Sequence, residues 1–122
     1  MPKPVIQLCA AFLIYIVPVS STAQEDDDGV TLQCLFHGIN PTVCECATDA
    51  LSQKLAVDVF AFYNDIGRLA IPLMENGADM GDAYDTALAE TATRRRMANL
   101  VALQTNNAAG RAHRDAITHC GG

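Results

Sequence analysis

The 122-residue sequence has no tryptophan, and its three tyrosines and four phenylalanines offer few platforms for stacking a base or a sugar ring. Phe12 and Tyr15 fall in the apolar N-terminal segment, which thins that supply further. Positive charge is also sparse, with eight Lys and Arg against fourteen Asp and Glu. Phosphate binding draws on net positive charge, so the balance argues against a nucleic-acid partner. No stretch alternates apolar and polar residues for long enough to make a strand, and nothing repeats at solenoid spacing. There is no Cys-x2-Cys of the thioredoxin kind. His37 is followed by Gly38, so the His-Asp pair of the small secreted phospholipases is absent. No nucleophile, base and orienting group fall together, which points away from an enzyme and implies no cofactor.

Residues Val5 to Val17 form an almost unbroken apolar run that ends at Pro18. Its 13 residues suit the core of a signal peptide and fall short of the ~20 that a membrane-spanning helix needs. Lys3 is the only charge before Glu25, and Ser21-Thr22-Ala23 supplies small residues for cleavage before Gln24. Residues 1–23 are therefore expected to be a signal peptide and the chain periplasmic or secreted. An uncleaved anchor facing outward is the alternative. Gln24 to Gly29 reads as a disordered acidic leader, and residues 30–122 as one helical domain.

Cys9 lies in the export segment; Cys34, Cys44, Cys46 and Cys120 remain in the mature chain. An even count in a short exported chain points to two disulfides. Residues two apart on a helix point about 200° apart, so Cys44 and Cys46 seek different partners. The economical pairing is Cys34–Cys44 with Cys46–Cys120, and exchanging Cys44 with Cys46 is nearly as good. A helix whose Cys-x-Cys thiols leave for different neighbours resembles plant lipid-transfer proteins. The resemblance is confined to Cys44-Glu45-Cys46; those proteins carry eight cysteines, and no lipid cavity is carried over. A zinc set written from the cysteines with His37, His113 and His119 conflicts with oxidised thiols, so no metal is expected.

The expected fold is all-α: a small bundle of about four helices braced by two disulfides. A short helix over Val30–His37 is stopped by Gly38. Asn40 and Pro41 start the next, to about Leu55, with Val43, Ala47, Ala50, Leu51 and Leu55 as its apolar stripe. A third runs from Val57 to about Leu69 and is ended or kinked by Pro72. Glu75 to Gly81 reads as a loop. Its acids Glu75 and Asp79, with Asp82 and Asp85 just beyond it, miss the order of a calcium loop, so capping by Asp79 or Asp82 is expected instead. The last helix runs from about Asp82 to Thr105 or on to Ile117, weakened near Asn106-Asn107 and Gly110. The three histidines are placed at helix ends, where an imidazole suits the negative dipole end.

Charge is polarised along the chain. Residues 24–90 carry thirteen acids against Lys54 and Arg68, a net of −11, while residues 91–122 carry five arginines against Asp115, a net of +4. Arg94-Arg95-Arg96 spans about 200° of a helix, so at least one of the three meets a neighbouring helix. A structural pair with an acid is the favoured role, and an anion or partner site the runner-up. With a rigid scaffold and no assembled catalytic group, the expected function is protein–protein interaction, as an accessory subunit, an inhibitor or immunity-type binder, or a small chaperone. An anchored subunit of a membrane complex and a small ligand or metal binder are the alternatives.

Overall fold

The computed structural model describes residues 28–122. The expected signal peptide and all but the end of the acidic leader, residues 1–27, lie outside the described residues. Five helices follow in order: α1 (Gly29–Phe36), α2 (Pro41–Lys54), α3 (Val57–Glu75), α4 (Met80–Arg95) and α5 (Asn99–His119). Among the described residues there is no strand, and the all-α, doubly disulfide-braced class holds. Gly29 belongs to α1 rather than to the leader.

The count is five because the long last helix is two. The chain turns at Arg96, not near Asn106–Gly110. Arg96 takes the left-handed conformation (φ 57°), its N–H bonds Thr93 O, and the Met97 N–H reaches back to Ala92 O at 2.9 Å. This is the bonding of a glycine-type helix stop. An arginine in that conformation costs roughly 1–2 kcal/mol. Burial of Ala92 and packing of Met97 against the same core offset it. Farther on, Asn106, Asn107 and Gly110 stay helical because Ala102, Ala109 and His113 must all reach the interior.

The third helix also outruns its expected end. Pro72 lies inside α3 and leaves the Arg68 carbonyl without its helical donor, a fault worth ~3 kcal/mol in a closed interior. Both residues face solvent, where water can serve that carbonyl. Continuing the helix buries Ile71 and Met74, at about 1.5–3 kcal/mol each. The expected Glu75–Gly81 loop shrinks to residues 76–79, and Asp79 caps α4 by accepting from the Gly81 and Asp82 N–H groups.

α3 is the central helix. One side of it brings Phe62, Ile66, Ala70, Ile71 and Met74 into a core completed by Ala83, Ala87 and Ala92 of α4 and Ala102 of α5. A second cluster joins Val30, Leu51, Tyr63 and Ala109. The alanines fill little volume, so helices close up until backbones nearly touch. The tightest approach is α1 on α3. A Cβ on Gly67 would overlap the Gly29 carbonyl, and a Cβ on Gly29 would overlap the Asn64 carbonyl. α2 buries Cys44, Ala47, Thr48 and Leu51, a stripe rotated from the expected one so that Ala50 is exposed. A buried bond between the Thr31 and Thr48 hydroxyls (2.7 Å) joins α1 to α2.

Candidate functional site

The cysteines resolve into a scaffold. Asn40 caps α2 by accepting from the Thr42 N–H, and the helix then directs Cys44 and Cys46 to different sides. Cys34 pairs with Cys44 (Cα–Cα 5.6 Å) and Cys46 with Cys120 (6.0 Å). Among the described residues no thiolate is left for a metal or for redox exchange. Two disulfides of this kind fit an oxidising, extracytoplasmic environment. Among the described residues no helix is long and apolar enough to cross a membrane.

The arginine triplet divides three ways. Arg95 reaches across to Asp65 of α3 at 2.7 Å, Arg94 pairs with Glu90 one turn back, and Arg96 occupies the left-handed turn. Two of the three are thus occupied by acids of their own chain. Arg96, Arg111 and Arg114 have no carboxylate at ion-pair distance among the described residues.

Arg111 and Arg114 lead to a feature that helix-end reasoning missed. Between α1 and α5 lies a half-open cleft of about 550 Å³. On the α5 side it is lined by Asn106, Gly110, His113 and Ile117, spaced four, three and four residues apart along one helical face. Gln33 of α1 and His37 just past its end face them, and Tyr63 of α3 and Tyr84 of α4 complete the wall. The Tyr84 hydroxyl donates to Gln33 Oε1 at 2.8 Å, fixing α4 to α1. Burial pushes Tyr84 up to about 12, so it keeps its proton.

His113 is not at a helix end. It is 4 % exposed, two turns inside α5, with Nδ1 2.8 Å from the Tyr63 hydroxyl and the rings edge to face. Burial, aided by the neighbouring Tyr84, raises the Tyr63 pKa well above the usual range, with the Arg114 charge opposing. Burial, then the nearby His37, lowers His113 to about 4. The imidazole is therefore neutral in the fold, and its Nε2 has no protein partner among the described residues. His37 and His119 do sit at helix ends and are exposed.

The sign of the consequence is fixed. Above the ordinary histidine value of ~6.5, position 113 is neutral in both states and stability is full. As pH falls from 6.5 toward 4, the unfolded chain takes up a proton that the folded one refuses. Stability is expected to drop by about 3 kcal/mol across that window. Urea unfolding of wild type and His113→Gln at a series of pH values checks this. The variant should lose much of the slope, and parallel profiles would refute the assignment.

A different surface is notable for its apolarity. Of the seven large hydrophobics exposed among the described residues, three fall within four positions of α5: Leu100 (64 %), Val101 (50 %) and Leu103 (44 %). Single exposed leucines are ordinary, but three large apolar side chains within about one turn of helix are a denser grouping. It begins four residues after Arg96, at the positive end of the α5 dipole.

Sequence reasoning had a signal for the cleft and passed over it. Asn106, Gly110 and His113 share a helical face with buried Ala102 and Ala109 close beside it, and two polar residues flanking a glycine there mark a groove. Comparison with known proteins returned nothing: no protein-family model, curated protein or solved structure matches this chain.

Proposed function

We propose that this chain is an exported, non-enzymatic helical protein, periplasmic or secreted once residues 1–23 are removed, that acts by binding a protein partner. The observation that carries the reading is the strip Leu100, Val101 and Leu103 beside Arg96. Leaving three large apolar side chains about half exposed forgoes roughly 1 kcal/mol each that burial would return. Their position at a helix N-terminus, four residues after an arginine with no carboxylate partner among the described residues, favours a partner whose apolar patch is rimmed by acids. The buried His113 is neutral and bonded to the buried Tyr63, an arrangement suited to holding helices together.

The test is photo-crosslinking from position 101 in the exporting cells, comparing the otherwise native chain with Leu100→Lys/Leu103→Lys. A discrete crosslinked species that the double substitution abolishes is the expected outcome. A pattern unchanged by the substitutions would remove the strip as the partner surface. A species of twice the chain mass would mean that a second copy covers it.

A further inference from the structure

The cleft between α1 and α5 has its own electrostatic character. In a chain with fourteen acids and eight basic residues, its lining holds Arg111, Arg114, His37 and His113 and no carboxylate. The nearest acid in sequence, Asp115, turns away to a separate hollow beside Lys54 and His119. Arg111 and Arg114 stand three residues apart on α5, where like charges are neighbours and repel. The fold supplies neither with a counter-charge among the described residues. An anion lying between them relieves that repulsion and accepts from both guanidinium groups.

Two further observations fall on the same cleft. Four buried side-chain polar atoms lack a protein partner among the described residues, and three of them belong to cleft-lining residues: Gln33 Nε2, Asn106 Oδ1 and His113 Nε2. Such atoms cost free energy when left unpaired. Asn106 Oδ1 and His113 Nε2 belong to the α5 wall, while Gln33 Nε2, from the facing side, lies close to Gly67. Gly110 is the second. A glycine in the middle of a 21-residue helix is unfavourable, yet a Cβ there would meet nothing closer than Arg114 Nη1 at 3.9 Å. Packing does not require the glycine. What it does is widen the cleft.

We infer that this cleft binds a small organic anion, with its carboxylate or similar oxyanion between Arg111 and Arg114 and its apolar body against Ile39 and Ile117. Its volume falls in the range of small-molecule sites. The site is independent of the α5 strip, and either can fail alone.

Titration of the ¹⁵N-labelled mature chain at low salt and pH 7 decides it, using hexanoate, the neutral hexanamide and inorganic phosphate. Hexanoate is expected to give saturable amide shifts over residues 33–39 and 106–117, with hexanamide at least about tenfold weaker. Arg111→Gln/Arg114→Gln, both exposed positions, should bring hexanoate down to the amide's affinity while the helical circular dichroism is unchanged. Gly110→Phe should block both ligands. Equal binding of acid and amide, hexanoate binding that survives the arginine substitutions, or no saturable response to either anion overturns the inference. Phosphate binding as tightly as hexanoate overturns the organic body.

Discussion

Replacing Cys46 and Cys120 together by alanine is expected to lower the unfolding free energy by about 4.5 kcal/mol, against about 2.8 kcal/mol for Cys34 and Cys44. The difference lies in the unfolded state. One ring joins residues 74 apart and the other residues 10 apart, so opening the larger one frees far more chain. Native contacts add to the asymmetry. The first bridge is backed by the buried Thr31–Thr48 bond, whereas α5 meets α2 through Leu51, Ala109 and Ala112. A domain of this size has only ~5–10 kcal/mol in total. The melting temperature of the Cys46→Ala/Cys120→Ala chain should fall by roughly 20 °C or more. Thermal unfolding of the two double variants, followed by circular dichroism, gives the comparison. Equal losses would show that loop length does not govern this fold.

Gly67→Ala should be nearly as damaging, and for a reason confined to the native state. In an exposed helix interior, alanine gains about 1 kcal/mol over glycine. At position 67 the added methyl runs into the Gly29 carbonyl, which is backbone and has no rotamer to escape into. α1 must lift away from α3, separating Val30 from Tyr63 and straining the Val30 N–H to Asn64 Oδ1 bond. The net loss is expected at about 3 kcal/mol. Gly110→Ala is the matched control, with open space around the new methyl, and should gain about 0.5–1 kcal/mol. Urea unfolding of the pair reads opposite signs. A Gly67→Ala chain as stable as wild type would mean that α1 docks without that close approach.

These contrasts show which features a one-dimensional reading reaches. Two bridges with Cys44 and Cys46 bound to different partners, the Asn40-Pro41 start and a cap from Asp79 or Asp82 were legible, because each depends on local stereochemistry or on the direction of neighbouring side chains. Which of Cys44 and Cys46 meets Cys34, and which aspartate caps, needed the fold. Pro72 misled because its cost depends on the surroundings of the orphaned Arg68 carbonyl, and both residues lie on the exposed side of α3. The turn at Arg96 was hidden for a related reason. Only the three-dimensional fit of Ala92 and Met97 persuades an arginine into a glycine's conformation. Periodicity alone does not say that the backbone facing Gly67 needs the missing methyl. The cleft was the least legible, since Gln33, Tyr63, Tyr84 and His113 come from four separate helices.

The two bridges also give the backbone a covalent topology. One ring spans Cys34 to Cys44 and the other Cys46 to Cys120. Every connection between helices falls inside one of them: residues 37–40 in the first, and residues 55–56, 76–79 and 96–98 in the second. A protease that cuts any one of these loops therefore releases nothing, because the two pieces stay joined through sulfur. Between Cys34 and Cys120 only the peptide bonds on either side of Glu45 escape both rings, and they sit within α2, wound into helix and out of an extended protease's reach. In surroundings rich in hydrolases, a single nick would leave this molecule whole until a reductant arrived.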